Sequence, residues 1–179
     1  VLIIPELIIL SYSGSSGIEF PKQIEWYFNL LSEVGRMCTT ASVYEGAENW
    51  PNLYAGAFSV MLLILFVLNK RINWKKKIAP VLFVLFFMAS FANKQLDFIW
   101  HGLHFPDSLP GRQSYLYAFL VLTIGYATVR KWRGIRLWHV GVAVVFASAL
   151  MAVSTMFAGE DVTEYYAVII SILFVALYG

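Results

Sequence analysis

Long apolar runs alternate with polar or basic connections along this chain, and the alternation predicts helical spans. The runs fall at residues 1–11, 53–69, 78–93, 115–130, 137–157 and 165–179. They bracket the ~20 residues that an α-helix needs to cross a bilayer, allowing for interfacial aromatics at their ends. The first run is cut short and interrupted by Pro5 and Glu6, and the last ends without a polar flank. The chain therefore reads as an internal piece of a larger polytopic protein. The expected fold is all-α, a transmembrane helical bundle with about five membrane segments, all of 1–179 belonging to a single domain.

Between the runs lie three connections, 12–52, 94–114 and 158–164, and two basic turns. Ser11 to Gly17 has flexible-linker composition. From Pro21, residues Ile24, Tyr27, Phe28 and Leu31 share one helical face, with Lys22, Glu25, Asn29 and Ser32 elsewhere. This predicts a short helix lying on the membrane surface, anchored by Trp26 and Tyr27. Pro51 suits the first turn of the helix that follows, where its missing N–H has no helical partner. Ala143 with Ala147, and Ser148 with Ala152, give a small-xxx-small packing surface on the fourth span. Glu6, a carboxylate among aliphatic residues, either sits near the interface or faces a polar cavity.

Composition places the chain in the membrane class: 59% of residues are hydrophobic and only 13% charged. The net charge of +2 matters less than its distribution. Lys70, Arg71, Lys75, Lys76 and Lys77 occupy one short turn, and Arg130, Lys131, Arg133 and Arg136 the other, with no acidic residue in either. All 11 acidic residues lie in or beside the other connections. The positive-inside rule then puts the basic turns in the cytoplasm and the three other connections outside. Basic residues distributed this way serve topology, and nothing suggests nucleic acid. Cys38 is the only cysteine, which excludes an internal disulfide and favours a packing role.

The stretch from Lys94 to Tyr115 concentrates the candidate chemistry. Asp97 and His101 stand at i and i+4, His101 and His104 at i and i+3, so a helical backbone would bring them to one face. A histidine pair beside a carboxylate suits a general base or a hydrogen-bonding partner for phosphate; a metal would have too few companions here, and the plain alternative is an interfacial histidine held by neighbouring aromatics. Arg112 follows Pro110-Gly111 just before an apolar run, at the depth of a lipid phosphate. A guanidinium there either binds phosphate in a bidentate fashion or snorkels to ordinary headgroups. There is no Gly-rich phosphate loop, HExxH zinc motif or GxSxG elbow.

Two stretches carry a resemblance. Trp100 to Tyr115 is similar to the HGF-x-x-P-N-x-L-P-x-R-x-S-F type of signature of bacterial YfhO-family membrane proteins, and Pro51-Asn52-Leu53-Tyr54-Ala55-Gly56 to that family's PN-x-Y-x-G. Asp107 stands where the signature has Asn, and Leu103 where it has Phe. The resemblance implies a GT-C-like glycosyltransferase of the bacterial cytoplasmic membrane, with its polar site outside. It would move a sugar from a polyprenyl-phosphate donor to a cell-envelope polymer such as lipoteichoic acid. Arg112, His101, His104 and Lys94 would hold the donor phosphate, and Asn52, Tyr54, Trp100 and Asp107 would line the sugar or acceptor site. The catalytic carboxylate is expected upstream of Val1. No cofactor is expected in this piece, with room for a divalent metal in the full-length protein. The partners would be membrane lipids, donor and acceptor polymer. Readings from other classes are a lipid or polymer transporter, in which no bond is made, and a structural assembly subunit.

Overall fold

The computed structural model describes residues 23–39, 50–103, 111–158 and 165–179. It is all-helical apart from an isolated β-bridge, with no strand among the described residues. The α-helices are α1 (Ala57–Leu68), α2 (Trp74–Ala92), α3 (Lys94–Trp100), α4 (Ser114–Arg130), α5 (Leu137–Ala158) and α6 (Tyr165–Tyr178). Short 3-10 helices cover Ser32–Met37 and Trp132–Gly134.

Helix α1 is apolar on every side and sits centrally, as such a helix must. It packs against α4, α5 and α6, with Met61 and Leu65 fully buried. Gly125 on α4 permits the approach: a Cβ there would lie 3.1 Å from Leu62 Cδ1. On α5 the inward stripe is Val140, Ala143, Ala147, Met151 and Ser154, spaced three and four apart. The Ala143–Ala147 pair thus lies in the packed face, whereas Ala152 is exposed.

Outward faces are apolar too. Phe119 (71%), Leu137 (86%), Val145 (70%) and Met156 (81%) are open to the surroundings, far more than a water-soluble fold leaves bare. Residues Leu137–Phe157 of α5 form the one helix among the described residues that is long and apolar enough to cross a membrane. Helices α1 and α6 have 12 and 14 residues, giving roughly 18–21 Å at 1.5 Å per residue. The apolar runs are thus helical where expected, while five full-length crossings are not what these lengths show. The first run, 1–11, lies outside the described residues.

Two local expectations are corrected. Residues 23–31 form no surface helix. They run partly extended against the α2–α3 junction, where Trp26 bridges Asn93, Tyr27 N donates to Ala92 O (2.8 Å) and Lys94 N donates to Glu25 O (3.1 Å). Backbone pairing to a preformed corner outweighs weak local amphipathicity. Helix α1 also starts at Ala57, six residues after Pro51, because Gly56 at φ 91° breaks the helical path and Ser59 Oγ caps its carbonyl.

The two basic turns are joined at one end of the bundle. Asn69, fully buried between them, donates through Nδ2 to Lys131 O (3.1 Å) and accepts from Arg71 N (2.9 Å). Gly134 closes the joint: a Cβ there would collide with Asn69 Oδ1 and lie 2.8 Å from Arg71 Cβ. Gly134→Ala is expected to cost about 1–3 kcal/mol, read as a lower melting temperature in detergent. An unchanged melting temperature would contradict this close approach.

Candidate polar site at the other end of the bundle

The opposite end gathers the residues that carry the candidate chemistry. Its frame is the 3-10 helix Ser32–Met37, inserted against α5 with all six residues buried. Arg36, 2% exposed, donates from Nε to Pro51 O (3.2 Å) and from Nη2 to Asn52 Oδ1 (2.9 Å). A second anchor lies nearby, where Thr39 N donates to Ser171 Oγ of α6 (2.8 Å).

Pro51 is also where the second motif arrives. Gly111 has φ 66°, and a Cβ on it would stand 3.1 Å from Pro51 Cα and Cβ. Both the left-handed backbone and the close approach require glycine there. Residues 51–56 and 111–115, about sixty positions apart in the chain, are therefore neighbours. Arg112 projects exposed from this junction, while Gln113 beside it is buried, its side-chain amide without a hydrogen-bond partner among the described residues. Tyr54 is half exposed, its hydroxyl donating to Thr39 Oγ1 (3.2 Å).

A second cluster lies on α3. Asn93 ends α2 and caps α3, its side chain accepting from Leu96 N (3.0 Å). As the i, i+4 spacing predicts, Asp97 Oδ1 meets His101 Nδ1 at 3.2 Å, both side chains buried. Tyr27 donates its hydroxyl to Asp97 Oδ2 (3.3 Å), and burial together with that carboxylate pushes the Tyr27 phenol above its usual range. Lys94 Nζ is ion-paired to Glu25 Oε2 at 2.8 Å. Trp100 stacks on Phe87 (5.9 Å between centroids), which packs edge-on against Tyr117 of α4. This aromatic chain links the α3 cluster to the start of α4, below Arg112.

The candidate residues thus divide. Asn52, Tyr54 and Arg112 come together at the Pro51–Gly111 junction. Asp97 and His101 engage each other inside the fold, and Lys94 is balanced by Glu25. His104 and Asp107 lie outside the described residues. Among the described residues no group of three or more His, Cys, Asp or Glu side chains converges.

Glu33 and Arg36 belong to this end as well, though the pattern of the sequence does not single them out. Glu33 is fully buried, and neither carboxyl oxygen has a hydrogen-bond partner among the described residues. Burial pushes its carboxyl up to about 9, so it is neutral at pH 7. Tyr117 of α4 lies near it and donates its hydroxyl to Met37 Sδ (3.4 Å). The available signal was an ionisable pair at i, i+3 set among Leu30, Leu31, Val34, Met37 and Cys38. Cys38 is buried and hydrogen-bonded to Val34 O at 3.9 Å, with its thiol pushed up to about 11 by burial, an unreactive packing residue.

A family model described as bacterial membrane protein YfhO matches residues 1–179. The chain belongs to the YfhO family. No curated protein and no solved structure gives a significant match. Membership makes this chain part of a bacterial membrane protein, in keeping with its apolar outer faces. The two stretches that resemble YfhO signatures are the ones that meet at Pro51 and Gly111.

Proposed function

We propose that this YfhO-family chain forms part of a multi-pass membrane glycosyltransferase. It would take a sugar from a polyprenyl-phosphate donor on the outer face of the cytoplasmic membrane and pass it to a cell-envelope polymer of the lipoteichoic acid type. The observation that carries the reading is the junction of 51–56 with 111–115, which sets an exposed guanidinium, Arg112, beside polar and aromatic side chains at the rim of an apolar bundle. A lipid-linked phosphate has matching chemistry: an anionic head to pair with the guanidinium, a sugar for Asn52 and Tyr54, and a hydrocarbon tail for the helix faces.

The charge pattern supports the orientation. The basic turns share one end and Glu25, Glu33, Asp97 and Arg112 lie toward the other, so a cytoplasmic basic end leaves the polar junction outside. In this reading Arg112 holds the donor phosphate as the sugar leaves it. Arg36 fixes the 51–56 segment, and Trp100 lines the approach. His101 positions α3 through Asp97 more directly than it offers itself to a ligand. The carboxylate that activates the acceptor lies elsewhere in the full-length protein, since Asp97 is engaged by Tyr27 and His101.

The test is sugar transfer by the full-length protein in detergent from a defined polyprenyl-phosphate donor. Arg112→Ala is expected to weaken donor binding on the order of tenfold or more, the loss of a charge-assisted pair, while membrane insertion and folding are retained. Transfer at the native rate would remove Arg112 from the site. Donor flipping in liposomes without any transfer would replace the enzyme by a transporter.

A further inference from the structure

The basic end contains a feature that the polar site does not explain. The Asn69 joint holds the two turns so that Arg71, Arg130, Lys131 and Arg133 surround a cavity of about 670 Å³, together with Val129 and Trp132. All four cationic side chains are exposed, and none has an ion-pair partner among the described residues. The acidic residues that the structure describes, Glu25, Glu33 and Asp97, belong to the other end of the bundle. Four positive charges held together without a counter-charge repel one another, so the arrangement favours an anion among them.

The surroundings identify the kind of anion. Trp74 (65% exposed), Trp132 (44%) and Trp138 (54%) ring this end, the position in which indoles mark a membrane–water boundary. Val129 (49%) in the cavity wall and Leu137 (86%) nearby continue into the apolar faces of α4 and α5. A soluble anion would use only the cations. A phospholipid would use both, its phosphate among the guanidinium groups and its acyl chains along Tyr126, Val129 and Leu137.

We infer that the cavity between the two basic turns is a binding site for the phosphodiester headgroup of an anionic phospholipid in the adjacent leaflet. Arg71, Arg130 and Arg133 supply the planar forks suited to phosphate and Lys131 adds a point charge. Trp132 fixes the depth of the headgroup. The site lies at the end of the bundle opposite Arg112 and does not depend on the transferase reading.

The experiment uses the full-length protein in nanodiscs, with Trp132 emission isolated as the difference between wild type and Trp132→Phe. Quenching is compared for acyl-brominated phosphatidylglycerol and acyl-brominated phosphatidylcholine. The anionic lipid is expected to quench with about a tenfold preference, the order given by a few uncompensated basic groups near the surface. The preference should fall toward one in a variant with Arg71, Arg130, Lys131 and Arg133 all replaced by Gln. Circular dichroism establishes that the variant is folded, and Arg71→Gln alone serves if the fourfold change unfolds it. Equal quenching by both lipids in the wild type, or an undiminished preference in the folded variants, would overturn the inference. So would displacement of the brominated lipid by millimolar inorganic phosphate alone, because the site would then take a free anion.

Discussion

Glu33→Gln is expected to raise the melting temperature of the detergent-solubilised protein at pH 7–8 and to flatten its dependence on pH. The wild-type carboxyl, buried with its oxygens unpartnered among the described residues, must hold a proton that an unfolded chain would release near the ordinary carboxylate range. Because the folded pKa, about 9, lies above the unfolded one, the folded state binds more protons between pH 4.5 and 9. Stability is fully present below about pH 4.5 and declines as pH rises, until the carboxyl ionises in the folded state as well. At pH 7 the penalty is on the order of 3 kcal/mol, which Gln, a neutral side chain of the same shape, does not incur. Among the described residues Tyr117 from α4 lies near Glu33, and neither carboxyl oxygen has a hydrogen-bond partner there. Melting curves from pH 5 to 9 decide the matter. A variant with the same falling profile as the wild type would mean that another group titrates. If Glu33→Gln instead abolishes sugar transfer while stabilising the fold, the strained acid is retained for function.

Arg36→Ala is expected to have the largest cost of the predicted substitutions in folding and in activity together. It removes the donor to the buried Pro51 carbonyl and the donor to Oδ1 of the more exposed Asn52. Withdrawing the charged donor from the buried Pro51 carbonyl costs on the order of 3 kcal/mol, because hydrogen bonds to a charged donor are stronger than neutral ones. The 51–56 segment would then lose its hold on the Gly111 turn, and Arg112 its fixed position. Arg36→Lys should recover only part of this, since an ammonium cannot reproduce the divergent Nε and Nη2 geometry. Thermal unfolding and donor affinity are the two readouts. A native melting temperature for Arg36→Ala would show that the 3-10 helix does not anchor the segment.

The helices were largely legible in the sequence, and for a simple reason. Asn69, Asn73, Asn93 and Arg130 stand at the ends of long apolar runs, where they stop the helical ladder or cap the next one. The contact of Asp97 with His101 was legible from spacing alone. What could not be read was set by residues far apart in sequence. The segment around Tyr27 has a helical period, yet its amide is taken by Ala92, 65 positions away. Arg36 has no local feature that points to Pro51, and the burial of Glu33 depends on α4 and α5, which pack over it. The fold class follows from local periodicity, whereas the site is assembled by long-range contacts that periodicity does not encode.

Asn93 closes α2, caps α3 with its side chain and bridges Trp26. One residue thereby fastens three chain segments at a single corner. Helix α3 has only seven residues, too few to hold its shape alone, and it is fastened at this corner and again through Asp97 and Tyr27. Any motion that widened the rim beside Trp100 would have to carry the 25–27 segment with it. The rim should accordingly behave as a hinged plate with one pivot, and not as a set of independently breathing loops.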